Sequence, residues 1–406
     1  MLSSSIQKKV IPIACKGIDI IAASKSGTGK TASFVLPMLQ MLHKTLKPNH
    51  RVLRGLILVP TRELVDQISI WIGEYGKNLN LRHTKIQGGV SKASQLEKLK
   101  SGIDIIVSTP GRLKAFIEDG SIDISSVNKI VLDEADTMLE MGFIKEMEFI
   151  LSNCSNYRQI MMFSATISQN IKKLGKEFLK DPVTIEVSKR RDVVNLIEHQ
   201  AYKVDVKRKN ELLTHIIKKN ENEQVLVFIN MKDTADEITS HLVNRGINAV
   251  AIHGNLESKE RTKNIKSFRS KKAQVLVATD IAARGIDIQE LPLVINYELP
   301  ESTDEFTHRV GRTGRANKCG NVITLLTVKD YNAFTKIERH LKLSIKRIVE
   351  DGFELKDRQP RQRQQQKKSL SAKKGKLDRK PKAKTTNTQK SKKTTKRDAG
   401  RNFRRN

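Results

Sequence analysis

Cysteine is scarce in this chain of 406 residues, which has three: Cys15, Cys154 and Cys319. They form no C-x-x-C pair, and no histidine stands beside them at metal-ligand spacing. A disulfide framework and a structural zinc site are therefore disfavoured, and a reducing compartment is expected.

Long apolar runs are also missing. No stretch approaches the ~18 apolar residues that a membrane-spanning helix needs. Residues 10–23 resemble the apolar part of a secretory signal, but Lys16 and Asp19 interrupt them and no cleavage site follows. We therefore expect a soluble cytoplasmic protein without a membrane partner.

Aromatic residues make up only 4% of the chain, and Trp71 is the single tryptophan. No R-G-F-x-F-type platform for stacking bases is present, which disfavours a reader of a defined nucleic-acid sequence. Trp71 falls in a predicted helix, where we expect it to lie partly in the core, with a ligand contact as the alternative.

Positive charge is abundant, with 75 Lys and Arg against 44 Asp and Glu, a net charge of +31. Residues 357–406 hold 20 basic and 3 acidic residues, a net of +17, and the preceding 356 residues carry the other +14. Both parts favour a polyanionic partner, although a merely solubilising tail is the alternative. Apolar periodicity stops after residue 354, so residues 355–406 are predicted to be a disordered basic tail that binds RNA.

Short β-branched runs alternate with stretches of helical period, which predicts α/β architecture with parallel sheets. The length exceeds what one hydrophobic core usually organises, so two domains are expected, over residues 1–188 and 197–354, with a linker at 189–196. The predicted strands are 18–23, 56–60, 84–87, 103–108, 129–132, 159–164, 183–187, 200–204, 225–229, 249–253, 275–278, 293–297 and 322–326.

The strongest local motif is A-S-K-S-G-T-G-K-T at residues 23–31, which follows a predicted strand and opens a predicted helix. Gly27 and Gly29 would let backbone N–H groups surround a phosphate, Lys30 would reach the β and γ phosphates, and Thr31 would bind Mg²⁺. The strict pattern has glycine first, where this chain has Ala23 or Ser24. A small-residue turn before a helix is the alternative.

A second motif, D-E-A-D at residues 133–136, ends an apolar strand. In parallel sheets ligands bind at this end of the strands. Asp133 could hold Mg²⁺ and Glu134 could act as general base in phosphoanhydride hydrolysis. A helix cap with favourable charges is the alternative interpretation.

Three arginines recur every three residues after His308: Arg309, Arg312 and Arg315. Their guanidinium groups could face one surface in series, where they would bind phosphate oxygens and stabilise charge on a transferred phosphoryl group. A solvated basic helix is the alternative.

With these motifs the chain resembles the DEAD-box ATP-dependent RNA helicases. The family's other motifs are present in order as P-T-R-E-L (60–64), G-G (88–89), T-P-G-R (109–112), S-A-T (164–166), A-T-D-I-A-A-R-G-I-D (278–287) and H-R-V-G-R-T-G-R (308–315). Residues 338–354 and the basic tail are similar to the bacterial RhlE-like branch. The resemblance implies two tandem RecA-like P-loop domains that use ATP and Mg²⁺ and bind RNA through its backbone, with ribosomal or RNA-decay complexes as partners.

The resemblance also implies roles for single residues. Catalysis is assigned to Lys30, Asp133, Glu134, His308, Arg312 and Arg315, nucleotide binding to Gln7, Ser26, Gly27, Thr28, Gly29, Lys30, Thr31 and Asp287, and Mg²⁺ binding to Thr31 and Asp133. RNA binding is assigned to Thr61, Arg62, Gly89, Thr109, Gly111, Arg112, Arg261 and Thr279. Ser164, Thr166 and Asp136 would couple hydrolysis to RNA binding.

Two departures from the family pattern stand out. Only five residues precede the Ile6-Gln7 pair, so the upstream aromatic residue that stacks on adenine is missing, and an N-terminal truncation or a weakened adenine grip is expected. Gln7 itself keeps an amide suited to the adenine edge. Ser258 stands where the family commonly has Gln, with a modest expected effect on contacts between the domains or with RNA.

We therefore expect an RNA-dependent ATPase that unwinds or remodels RNA duplexes and RNA–protein complexes, with an active site completed when the two domains close. One alternative is an ATP-independent RNA chaperone or annealing clamp that uses the basic tail. A DNA-translocating motor is a third option, disfavoured because no strand-splitting domain is visible.

Overall fold

Two parallel β-sheets of seven strands each organise the residues that this computed structural model describes, which are 3–24, 28–45, 51–187, 197–283, 286, 288, 291–313 and 320–356. We call the part built on the first sheet the first lobe and the part built on the second sheet the second lobe. The predicted linker and nearly all of the predicted tail lie outside the described residues.

In the first lobe the strands follow the spatial order β3-β4-β2-β5-β6-β1-β7. Every described neighbouring pair is parallel, so all strands end at the same edge of the sheet. The elements are α1 Ser5–Ala14, β1 Ile20–Ala23, α2 Lys30–Lys44, β2 Gly55–Leu58, α3 Arg62–Gly76, β3 His83–Ile86, α4 Lys92–Lys100, β4 Ile105–Ser108, α5 Pro110–Glu118, β5 Lys129–Leu132, α6 Ala135–Glu140, α7 Ile144–Ser152, β6 Gln159–Ser164, α8 Gln169–Phe178 and β7 Val183–Glu186.

The second lobe repeats this plan with the order β10-β11-β9-β12-β13-β8-β14. Its elements are β8 Ile197–Lys203, a 3₁₀ turn Val206–Arg208, α9 Lys209–Lys219, β9 Val225–Ile229, α10 Lys232–Val243, β10 Ala249–Ile252, α11 Ser258–Arg269, β11 Val275–Thr279, α12 Asp280–Ala283, β12 Leu293–Asn296, α13 Thr303–Val310, β13 Gly320–Leu326, α14 Tyr331–Leu341 and β14 Lys346–Ile348.

Both faces of each sheet are covered by helices. Along β2, Leu56 and Leu58 belong to one apolar cluster, whereas Ile57 and the following Val59 belong to the cluster on the opposite face. A strand buried on both faces has no polar side, which is why these strands are continuous apolar runs in the sequence. The second lobe has two corresponding clusters.

The predicted α/β class with parallel sheets is confirmed, and every predicted strand is present. The bounds of β5, β6 and β9 agree with the sequence prediction to the residue. The sequence prediction missed β14, which pairs in parallel with β8 at the edge of the second sheet. This strand has three residues, two of them charged, so it lacks the apolar run on which the prediction depended.

The expectation that Trp71 lies partly in the core is wrong. Its side chain is 45% exposed on α3 and stacks on Tyr75, with ring centroids 5.3 Å apart. The buried face of α3 is formed instead by Val65, Ile68 and Ile72.

Candidate functional site

The phosphate-loop motif lies between the end of β1 and the start of α2. Gly29 caps α2 with a φ of +89°, a left-handed conformation that glycine adopts without strain. A Cβ atom there would come within 2.5 Å of Gln7 Nε2. The Thr28 hydroxyl is 2.6 Å from the Ser24 hydroxyl, whereas Ser26 and Gly27 lie outside the described residues.

The N-terminal segment packs against this loop. Ile6, Val10 and Ala14 of α1 enter the same apolar cluster as Phe34 of α2. Gln7 Nε2 donates a hydrogen bond to the Gly29 carbonyl at 3.3 Å, and Gln7 Oε1 accepts one from the Ser4 N–H at 2.9 Å. The helix α1 therefore holds the Gln7 amide directly beside the phosphate loop.

Three carboxylates follow β5, the strand that pairs directly with β6. Asp133 is 4% exposed, and its Oδ1 accepts a hydrogen bond from the Glu134 N–H at 3.0 Å. Glu134 caps α6 with a φ of 51° and a ψ of 49°, an uncommon conformation for a non-glycine residue. Strained backbone of this kind persists where the surrounding structure holds it, which is common at functional sites.

Burial raises the pKa of Asp133, and the nearby Lys30 charge opposes that shift. Burial also raises the pKa of Glu134 to about 7, with Lys30 and Arg312 acting against the shift and Asp133 and Asp136 adding to it. Glu134 can therefore take up and release a proton near neutral pH, which is what a general base needs.

Asp136 links this loop to β6 and to the second lobe. Its Oδ2 accepts a hydrogen bond from the Ala165 N–H at 2.9 Å. Burial works against ionisation of Asp136, but the charges of His308 and Lys30, together with the hydrogen bonds, hold its pKa below the usual range. Ser164 donates to the Thr166 carbonyl at 2.7 Å, so the predicted coupling residues form one connected turn.

The second lobe brings Arg312 close enough to Glu134 for its charge to affect that carboxyl group. Arg312 is 9% exposed, and its Nη1 donates to the Ile286 carbonyl at 2.8 Å. Arg315 and Asp287 lie outside the described residues, so their assigned roles stay predictions.

The expectation that Arg309 faces the same surface as Arg312 is wrong. Arg309 is 1% exposed, and its guanidinium forms a two-pronged ion pair with Asp280 at 2.7 and 2.5 Å. It also donates to Asn230 Oδ1 at 2.7 Å and stacks over Phe228. Arg309 points from α13 into the interior of the second lobe. There it connects the segments that follow β11, β9 and β12.

The first-lobe residues assigned to RNA lie at the ends of three adjacent strands, β3, β4 and β2. Gly89 follows β3, Thr61 and Arg62 follow β2, and Thr109, Gly111 and Arg112 follow β4. Thr61 caps α3, and Thr109 caps α5. The Arg62 guanidinium lies against Gly88 and Gly89, and Arg112 Nη2 donates to the Val90 carbonyl at 3.2 Å. A Cβ atom on Gly111 would meet open space.

In the second lobe, Thr279 ends β11 and Arg261 lies on α11. Arg261 Nε is 2.6 Å from Glu63 Oε1 of the first lobe, and Arg261 Nη2 donates to the Ala282 carbonyl at 2.9 Å. This ion pair connects the lobes. Glu63 received no role from the sequence, although it stands within the P-T-R-E-L motif beside Thr61 and Arg62.

Metal binding depends on two assigned residues. Thr31 is the second residue of α2, and the Asp133 carboxylate lies near Lys30, the first residue of the same helix. Within the described ranges, no group of three or more His, Cys, Asp or Glu side chains is arranged to hold a metal by itself. A hydroxyl and one carboxylate suit Mg²⁺, which keeps most of its ligands as water and substrate phosphate oxygens.

Comparison with known proteins agrees with this geometry. Residues 4–174 match the family model of the DEAD/DEAH box helicases, and residues 208–317 match that of the helicase conserved C-terminal domain. The ATP-dependent RNA helicase CshA of Bacillus subtilis is 35% identical over 348 residues, which are 86% of this chain and 70% of that protein. The chain belongs to the DEAD-box helicase family.

This DEAD-box protein is also similar to other helicases and to solved structures. The ATP-dependent RNA helicase DeaD of Mycobacterium tuberculosis is 38% identical over 337 residues, which are 83% of this chain but only 59% of that relative's length. The structure of Dbp5 of S. cerevisiae bound to RNA and ADP BeF3 is similar with a TM-score of 0.76 and 28% identity, over 86% of this chain and 90% of that one. Both lobes are thus RecA-like domains. Within the described part of the chain, no helix has the length and apolar character needed to cross a membrane.

Proposed function

We propose that this DEAD-box protein is an RNA-dependent ATPase that uses ATP binding and hydrolysis to open or remodel RNA duplexes and RNA–protein complexes locally. The observation that carries the proposal is the junction of the lobes. There the charge of Arg312 lowers the pKa of Glu134, and the charge of His308 lowers the pKa of Asp136. Groups from both lobes therefore share one electrostatic site, as a composite ATPase requires.

Residues of the chain have separate tasks in this proposal. Glu134 accepts the proton of the attacking water, and Lys30 neutralises phosphate charge. Arg312, with Arg315, stabilises charge that develops on the transferred group, and Gln7 and Asp287 orient the nucleotide. Bound Mg²⁺, held through Thr31 and Asp133, would supply further charge neutralisation. Ser26, Gly27, Thr28 and Gly29 would surround the phosphates.

The RNA path in this proposal runs along the strand ends of both lobes. The first lobe would contact the RNA backbone through Thr61, Arg62, Gly89, Thr109, Gly111 and Arg112. The second lobe would contact it through Arg261 and Thr279. Small residues and guanidinium groups at strand ends suit phosphate and 2′-OH contacts without reading bases. Ser164, Thr166 and Asp136 would transmit RNA contact to the catalytic loop.

Finer assignments belong to the same proposal. We place the domain bounds at residues 1–188 and 197–354, with the linker 189–196 and the tail 355–406. We also propose an RhlE-like affiliation, a cytoplasmic location and work within ribosomal or RNA-decay complexes, supported by the basic composition and the bacterial relatives. The ATP-independent chaperone is not favoured, because the phosphate loop, the carboxylates and the lobe junction are all present.

Phosphate release measured with and without RNA tests the proposal. Hydrolysis should rise with RNA and should fall by roughly 10²- to 10⁴-fold in Glu134→Gln, the range that general-base catalysis contributes. Lys30→Ala should also abolish turnover. The matched controls Glu140→Gln and Lys44→Ala, at the exposed far ends of α6 and α2, should retain it. RNA-independent hydrolysis, or full activity of Glu134→Gln, would overturn the proposal.

A further inference from the structure

Gln95 is the one residue of α4 that is fully buried, at 4% exposed. The rest of this helix is mostly lysine, serine and glutamate, so a buried amide here requires an explanation. Buried polar groups are retained where they satisfy hydrogen bonds, because an unpaired group in the interior is costly.

The hydrogen bonds described for the Gln95 side chain all go to one loop, the segment that follows β3. Its Oε1 accepts a hydrogen bond from the Gln87 N–H at 2.9 Å. Its Nε2 donates to the carbonyls of Gln87 and Val90, both at 3.2 Å, and of Ser91 at 3.3 Å. One side chain thus joins both ends of the five-residue loop 87–91.

This loop contains Gly88 and Gly89, against which the Arg62 guanidinium lies. Gly89 has a φ of +75°, so the loop has an unusual backbone conformation that something must hold. Arg112 also binds this loop, through its hydrogen bond to the Val90 carbonyl. The shape of the loop therefore decides where Arg62, Gly89 and Arg112 stand relative to one another.

We propose that Gln95 is a positioning residue for RNA, which holds the 87–91 loop so that Gly89, Arg62 and Arg112 face the RNA backbone together. The inference rests on the proposed function, since it assigns Gln95 to the RNA contacts of that site. It gives Gln95 no part in nucleotide binding, because the hydrogen bonds described for its side chain all go to the 87–91 loop.

The test is Gln95→Met, which keeps the length and bulk of the side chain but removes its hydrogen bonds. RNA-stimulated hydrolysis should need roughly fivefold more RNA for half-saturation, the factor that follows from losing about one net hydrogen bond. The rate at saturating RNA and the KM for ATP should stay within about twofold, because the loop lies apart from the carboxylates.

The chain offers a matched control in Gln159, which is 2% exposed and donates to the carbonyls of Ala14 and Ile18 at 2.9 and 2.8 Å. Gln159→Met removes comparable buried hydrogen bonds elsewhere in the same lobe. It should lower the Tm to a similar extent and leave the RNA requirement unchanged. Equal RNA requirements in the two variants would overturn the role of Gln95, as would a lower saturated rate at an unchanged RNA requirement.

Two further measurements keep the outcome decisive. Gln95→Glu has the same shape and retains the acceptor for the Gln87 N–H, so it provides a second variant if the methionine variant does not fold, with the same expected direction. Combining Gln95→Met with Arg62→Ala should cost less in RNA affinity than the two single changes together, because both act through one loop. Additive losses would contradict this. Absence of RNA stimulation in the unmodified protein would instead refute the proposed function.

Discussion

Gly89 is a residue whose missing side chain has a specific consequence. Its φ of +75° lies in the left-handed region, and a Cβ atom there would clash with Arg62 Nη1. Two reasons therefore favour glycine at this position: its backbone conformation, and the Arg62 guanidinium that occupies the space of a side chain.

Gly89→Ala should therefore displace Arg62 and weaken RNA binding by roughly tenfold, since a guanidinium hydrogen-bonded to phosphate contributes more than about 1 kcal/mol. Binding titrations with a short single-stranded RNA would measure the loss. The control is Gly120→Ala, with a φ of +68° but open space around its Cβ. Gly120→Ala should lower the Tm to a similar extent, because its backbone is strained in the same way, but its RNA affinity should be normal. Equal RNA affinities of the two variants would contradict this account.

At the scale of elements, the second lobe depends on a buried arginine that ties a helix to several strands. Arg309 on α13 contacts Asp280 after β11, Asn230 after β9 and the Glu298 carbonyl after β12. All three guanidinium nitrogens therefore donate hydrogen bonds, which compensates for burying the charge.

Arg309→Lys should destabilise the protein by about 2–4 kcal/mol, because the ammonium group keeps the charge but cannot bind these partners in the same planar pattern. Urea unfolding would measure the change. Arg347 offers a comparison, since it also pairs with a carboxylate through two nitrogens, at 2.9 and 2.5 Å to Glu338, but is 26% exposed. Arg347→Lys should cost under about 1 kcal/mol, and equal costs would show that burial does not matter here.

At the scale of the whole molecule, the Glu63–Arg261 ion pair is a contact between lobes whose residues lie far apart in the chain. Both side chains are largely buried, 19% and 16% exposed. A pair of this kind should favour the arrangement in which the two lobes meet.

Exchanging Glu63 for Gln should therefore weaken lobe closure by about fivefold, equivalent to ~1 kcal/mol for a partly buried pair. Fluorescence transfer between labels on the two lobes, with RNA and an ATP analogue, would report closure. Glu74→Gln on the exposed far end of α3 should have no effect. Because Arg261 is also assigned to RNA, a double-mutant cycle with Arg261→Gln isolates the pair: the two changes together should cost less than the sum of the single changes, and additive losses would contradict a direct pairing.

The charge distribution gives a second prediction at this scale. Removal of residues 357–406 takes away 20 basic residues and 3 acidic ones. RNA affinity should fall, and its dependence on salt should become shallower, because fewer counterions are released from the RNA. Hydrolysis at saturating RNA should remain. Binding titrations at several salt concentrations would test this, and an unchanged salt dependence would exclude the tail from RNA binding.

Local patterns were sufficient for much of the fold. Continuous apolar runs predicted the strands, because a strand covered on both faces has no polar side. The glycines before Lys30 and the carboxylates after β5 predicted a phosphate site, because parallel strands bring their ends to one edge. The short charged β14 could not be found in this way, since its pairing with β8 depends on the neighbouring strand and on no pattern of its own.

The amino-acid sequence by itself determined the two parallel α/β lobes, the excess positive charge and the residue types of the site, because these follow from local periodicity and composition. Only the tertiary structure decided which side chains meet. Arg309 is buried although its spacing from Arg312 predicted a shared surface. Arg261 pairs with Glu63 of the other lobe, and Gln95 forms hydrogen bonds with the loop that follows β3. The physical reason is that hydrogen bonds and ion pairs act over a few ångströms, so their partners are known only once the chain has folded.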